Sequence, residues 1–158
     1  MKKRKADLAL LVTLAKKIRK AIEDARDAGE FHKDSTFYRF PTACCGDASC
    51  LLGQYLLDHG IESQYVCGNY CCGLNNQSHA WVQVGSVIID ITGDQFESRS
   101  EFLFYNVPVY VGEIDAMHKL FEVRSSDIRN TAPVKDLGPF AAPRLIKLYD
   151  KITKYIEM

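Results

Sequence analysis

The sequence predicts an α+β fold, on three observations. Leu8, Leu11, Ala15, Ile18, Ile22 and Ala25 lie on one helical stripe; two short β runs, residues 79–84 and 87–92, flank the pair Gly85-Ser86; and a helical pattern closes the chain after Pro143. At 158 residues the chain has the size of one domain, 1–158, long enough to bury a core without staples.

The start, Met1-Lys2-Lys3-Arg4-Lys5 followed by residues 6–15, has the basic-then-apolar look of a secretory signal. Asp7 interrupts the apolar run, no Ala-x-Ala cleavage motif follows, and the helical stripe continues through the region where cleavage would fall. The segment therefore reads as an amphipathic helix over residues 5–28 with Gly29 as its stop. No apolar run approaches the roughly 20 residues needed to cross a bilayer. The expectation is a soluble, cytoplasmic protein without membrane contact, and a role as a secreted effector is compatible with it.

Residues 30–43 read as a loop that packs, carrying Phe31, Phe37, Tyr38 and Phe40 ahead of Pro41. A second helix is expected from Cys45 to His59-Gly60, with Gly60 in the position past its end. Residues 61–66 suit a strand and residues 68–77, rich in Gly, Asn and Cys, a loop. Gly85-Ser86 suits a two-residue hairpin turn. That turn pairs Val84 with Val87, sets Trp81 opposite Asp90, and makes Asp90 the diagonal neighbour of His79 on one face. Residues 107–112 are a strand candidate demoted toward an edge by Pro108, 114–121 a short surface helix, and 124–140 a loop. Pro143 then suits the first turn of a last helix reaching about Ile156.

Three residues in this order carry chemistry. Cys45 at a helix start meets unsatisfied N–H groups and the positive end of the helix dipole, which favour a thiolate. His79 is placed as its base, and Asp90 as the group that fixes the ring's tautomer. Gly46 leaves room for a substrate carbonyl, Gln77 is a candidate to donate to an oxyanion, and Trp81 is a candidate to shield the pair from water. Blander readings stand beside these: a core cysteine, a packed histidine, a turn aspartate, a solvated glutamine, a core tryptophan. Cys44 competes as nucleophile, Cys50 reads as core and Asp94 is the substitute for Asp90. Gln95 and Phe96 are candidates to line the cleft. His59 reads as a helix cap, His32 as a loop residue and His118 as a surface helix residue.

Net charge is zero, with both signs spread along the chain, so nothing marks a nucleic-acid partner. Six cysteines include the adjacent pairs 44-45 and 71-72, poorly suited to a secreted disulfide framework. A zinc site drawing on Cys67, Cys71 and Cys72, with Cys44 and Cys50, is the rival chemistry, but Cys67-x3-Cys71-Cys72 lacks a second paired element.

Cys45-Gly46-Asp47 opening a helix that ends in His59-Gly60-Ile61, then Tyr65-Val66-Cys67-Gly68, Ser78-His79-Ala80-Trp81-Val82 and Asp90-Ile91-Thr92, resemble the Cys, His and Asp motifs of the transglutaminase-like superfamily of papain-like cysteine enzymes. The likeness covers about residues 41–96. It implies N-terminal helices packed on a small antiparallel sheet with a C-terminal helix, and Cys45, His79 and Asp90 as nucleophile, base and orienting acid. It also implies acyl transfer without a cofactor on a peptide, isopeptide or protein side-chain amide: peptidase, amidase or deamidase, or transglutaminase. The doubled Cys44-Cys45, the short hairpin and the small size depart from the longer family pattern. An inactive binding module of the same fold is the alternative.

Overall fold

Asp7, which breaks the apolar run near the N-terminus, is the residue that starts the first helix. In the computed structural model, which describes residues 6–156, its carboxylate accepts the Leu10 N–H at 2.7 Å and caps α1, Leu8–Asp27. Residues 1–5, including the expected start at Lys5 and the basic run ahead of it, lie outside the described residues. The stripe from Leu11 to Ala25 is buried as its spacing predicts, whereas Leu8, placed on the same stripe, is exposed in the first turn of the helix. Among the described residues no helix is long and apolar enough to cross a membrane.

The loop after α1 tucks Phe31, Phe37 and Phe40 into the core and leaves Tyr38 exposed. Ala43 takes a left-handed backbone (φ +58°) that turns the chain into α2, Cys45–Asp58. Arg144 bridges Asp34 of this loop (3.1 Å) and Asp47 in the first turn of α2 (2.5 Å), so the last helix braces the start of the second.

The sheet is antiparallel throughout, in the order β4-β3-β2-β1-β5. β1 is Gln64–Cys72, β2 Asn75–Val84, β3 Val87–Asp90, β4 Tyr110–Gly112 and β5 Ile128–Asn130; α3, Gly138–Thr153, ends the fold. Val84 pairs with Val87 and Val82 with Ile89, the register expected from the two-residue turn. Alternation then gives the sheet two different faces. Val82, Ile89 and Ile91 pack into the same core as α1, α2 and α3, while Val66, Trp81 and Ile88 join Phe96, Phe102, Met117 and Phe121 in a second, aromatic core.

Four expectations need correction. Residues 68–77 are not a loop: β1 begins at Gln64, three residues later than expected, and runs through Gly68 to Cys72, paired along its whole length with β2. Backbone pairing satisfies this stretch regardless of its loop-like composition, because a long hairpin needs turn residues only at its tip. Residues 114–121 form only a 3-10 turn at His118–Leu120, and His118 is buried rather than on a surface helix. The segment 124–140 contains β5 and two 3-10 turns. Finally α3 begins at Gly138, so Pro139 takes the first-turn position assigned to Pro143, which lies further in.

Gly68 sits directly across the ladder from His79. A Cβ there would stand 2.6 Å from Phe121 Cβ and 3.2 Å from Trp81 Cη2. Both neighbours are buried and ring-packed, so neither can give cheaply. Gly68→Ala is expected to cost about 1–3 kcal/mol and to lower the melting temperature by roughly 2–12 °C, read by thermal unfolding.

Candidate active site

The hairpin places the first two groups. His79 and Asp90 share the aromatic face, and the His79 Nε2–H meets Asp90 Oδ2 at 2.6 Å with both side chains removed from solvent. This is the diagonal pair that the Gly85-Ser86 register predicts. Asp90 Oδ1 in turn accepts the Thr92 N–H at 2.9 Å, in an Asx-type turn that ends the strand.

The same register explains how a helix reaches this pair. Across a two-residue turn Val84 and Val87 exchange both ladder bonds, so alternation aims the N–H groups of Val82 and Ala80 toward β3. β3 stops at Asp90, one residue short of the position that would accept from Ala80. The N-terminus of α2 fills that place, where the Ala80 N–H favours the thiolate of Cys45. The His79 ring favours that thiolate as well, and the thiol in turn favours the protonated ring. Since Nε2 is held by Asp90, Nδ1 is the nitrogen that faces the thiol.

Electrostatics follow from these contacts. Burial pushes the Cys45 thiol up, but the His79 hydrogen bond, the charge of that ring and the Ala80 N–H outweigh it, so the thiol titrates below its ordinary range. Burial likewise disfavours a charged His79, yet the adjacent Asp90 carboxylate raises it to about 9. Asp90, despite its burial, is held well below the usual carboxylate range by His79 and His118. Cys44 has the opposite character. It is fully buried, its thiol donates to the Thr36 and Thr42 carbonyls at 3.3 and 3.2 Å, and burial followed by the Asp47 charge pushes it up to about 12.

The structure separates the other candidates. Gly46 lies beside Cys45, with the Tyr65 hydroxyl 3.3 Å from where its Cβ would be. Trp81 is buried on the shared face, its ring 5.7 Å from that of His79, and Phe96 packs edge-on to His79 at 4.9 Å. Gln95 donates to the Thr92 carbonyl at 3.0 Å and stands 3.5 Å from His79 Nδ1. Gln77 is elsewhere employed: its Oε1 accepts from Arg99 at 2.7 Å and its Nε2 donates to the Ser78 carbonyl. Asp94 is bound by both terminal nitrogens of Arg19 at 2.8 Å, away from His79. His59 contacts the Tyr55 carbonyl at the end of α2.

His118, expected on the surface, instead joins the site from behind. Its Nε2 contacts Asp90 Oδ2 at 2.7 Å and its Nδ1 contacts Asp115 Oδ1 at 2.6 Å, while Tyr105 donates to Asp115 Oδ2 at 2.6 Å. A continuous chain therefore runs from Cys45 through His79, Asp90 and His118 to Asp115. The signal available in the sequence was Asp115 three residues ahead of His118, where its carboxylate accepts the His118 N–H at 2.9 Å and closes the turn.

His79, Asp90 and His118 form the one group of three or more metal-ligating side chains among the described residues, and no cysteine belongs to it. Ligand atoms about 2.0–2.1 Å from a tetrahedral ion stand roughly 3.3 Å apart. The 2.6 and 2.7 Å separations here are those of shared protons. Compared with protein-family models, curated proteins and solved structures, the chain finds no match in any of the three.

Proposed function

We propose that this protein is a thiol-dependent acyl-transfer enzyme of the transglutaminase-like, papain-like kind, acting on a peptide, isopeptide or side-chain amide. The observation that carries the reading is the Cys45 thiol at a helix N-terminus, held below its ordinary range by a His79 whose far nitrogen is fixed by Asp90 at 2.6 Å. A thiolate beside an imidazolium is a nucleophile and a proton donor in one unit.

The Cys45 sulfur attacks the substrate carbonyl, forming a C–S bond while the carbonyl electron pair moves onto oxygen. Backbone N–H groups at the start of α2 face that oxygen. As the tetrahedral adduct collapses, His79 passes its proton to the departing amine and the C–N bond breaks. Water or a second amine then attacks the thioester, His79 takes the incoming proton, and the thiolate returns. Asp90 keeps Nε2 protonated and the ring aligned throughout. No step calls on a cofactor.

The test is mild labelling with iodoacetamide at neutral pH, followed by intact mass and peptide mapping. Cys45 is expected to react ahead of the other five thiols, and His79→Ala to abolish that preference. Equal, slow modification of all six would overturn the reading. Incubation with activated esters and peptide amides should add one acyl mass to Cys45.

A further inference from the structure

Acyl transfer through a tetrahedral adduct needs a hydrogen bond to the developing oxyanion, and the side chain expected to supply it, Gln77, is bound to Arg99 and Ser78. We infer that Tyr65 fills this role: its hydroxyl, standing over Gly46, donates to the carbonyl oxygen of an acyl group on Cys45, alongside the N–H groups of α2. The inference rests on the proposed thiol chemistry and adds to it a catalytic residue.

Strand geometry puts the ring in place. Tyr65 pairs with Val82 and Cys67 with Ala80, so Tyr65 and Cys67 point to the helical side of the sheet, beneath the start of α2. The phenolic oxygen then lies 3.3 Å from the position a Cβ would take on Gly46, the residue next to the nucleophile. On the neighbouring strand Arg129 pairs with Tyr65 and lays its guanidinium over the ring, 4.2 Å from the centroid. That stacking holds the ring's orientation without using its hydroxyl.

The hydroxyl itself has no hydrogen-bond partner among the described residues, although the residue is half-buried. No polar side-chain atom shut off from solvent lacks a partner among the described residues, so this hydroxyl is open to solvent and to a ligand. Burial and the nearby thiols also push it up to about 12, so it keeps its proton where the thiolate is active and is available to donate. Glycine at 46 completes the arrangement, because any side chain there would press on the hydroxyl and close the space a carbonyl oxygen needs.

Two probes separate this role from a structural one. Iodoacetamide alkylates sulfur by displacement at a saturated carbon, with iodide leaving and no oxyanion forming. p-Nitrophenyl acetate acetylates sulfur through a tetrahedral oxyanion before p-nitrophenolate leaves. Tyr65→Phe removes one unbonded oxygen, so its melting temperature should stay within a few degrees of wild type. Its alkylation rate at Cys45 is expected to stay within twofold, while its acetylation rate falls about 100-fold, the scale for one oxyanion donor. Acetylation within twofold of wild type, or an equal fall with both probes, overturns the role of Tyr65 and leaves the proposed function standing. A wild-type protein that alkylates at Cys45 yet never acetylates overturns both.

Discussion

Asp90→Asn is expected to remove most of the proposed acyl-transfer activity and a large share of the stability together. Asp90 accepts on both oxygens: Oδ2 from His79 and His118, Oδ1 from Thr92. An amide has one oxygen to offer. If that oxygen keeps the Thr92 N–H, the amide NH2 faces two imidazole nitrogens, which must then become acceptors. His79 would carry its proton on Nδ1, the nitrogen that has to take the thiol's proton, and the Cys45–His79 ion pair is lost. A wrong tautomer of this sort costs acyl transfer by about 10⁴ in the serine-protease case, and a fall of about 10³–10⁴ is expected here in the rate of acetylation by p-nitrophenyl acetate. If the oxygen instead faces the rings, it carries no charge to support two imidazoles and the NH2 opposes the Thr92 N–H. Breaking a buried ion pair from one side costs about 3–5 kcal/mol, which lowers the melting temperature by roughly 6–20 °C. Calorimetry or circular dichroism reads the second effect, and rates taken well below the variant's melting point isolate the first. A variant with wild-type acetylation would remove Asp90 from the mechanism.

That prediction draws on a contact already legible in the sequence. A two-residue turn leaves one register open, and once Val84 meets Val87 the diagonal approach of His79 and Asp90 comes from the period of a strand. The start of α2 at Cys45 was legible for a similar local reason: Phe40-Pro41 closes the loop ahead of the helix, and Gly60 stops the helix at its far end. The missing parts depend on partners distant in sequence. β1 beyond Cys67 has a loop's composition and becomes strand only because residues 75–79 run antiparallel beside it. β5 is three exposed residues whose pairing with Gln64–Val66 no local pattern announces. His118 enters the site because a 3-10 turn rotates it inward, far along the chain from His79 and beyond the reach of periodicity. Tyr65 was visible as part of a strand, but its free hydroxyl beside Gly46 depends on how α2 lies on the sheet.

Activity and stability should depend on pH in different ways, and the site fixes both signs. Cys45 is lowered and His79 raised to about 9, so between those values the site holds a thiolate and a protonated ring. Acyl transfer from an amide should rise through an acid limb below the ordinary thiol range and decline near pH 9, as His79 loses the proton it delivers to the leaving amine. Alkylation by iodoacetamide shares the acid limb and has no decline near 9, because it needs only sulfur. For stability, a folded-state His79 raised from 6.5 contributes fully below pH 6.5 and loses that contribution as pH rises through about 9. At about 1.4 kcal/mol per pH unit, the linkage is worth about 3 kcal/mol. Asp90 is the other half of the same pair: its depressed value contributes above the ordinary carboxylate range and is lost as pH falls below about 4. Cys45, also depressed, works against the His79 decline at alkaline pH, gaining stability as pH rises toward the ordinary thiol range. Urea unfolding of Cys45→Ala at pH 6, 7.5 and 9.5 therefore isolates the ring and its carboxylate. The unfolding midpoint should drop steadily across that series, and the drop should vanish when His79→Ala is added. A midpoint flat from pH 6 to 9.5 in the single variant would mean that Asp90 does not hold a charged His79, and the ion-pair account of the nucleophile would fail with it.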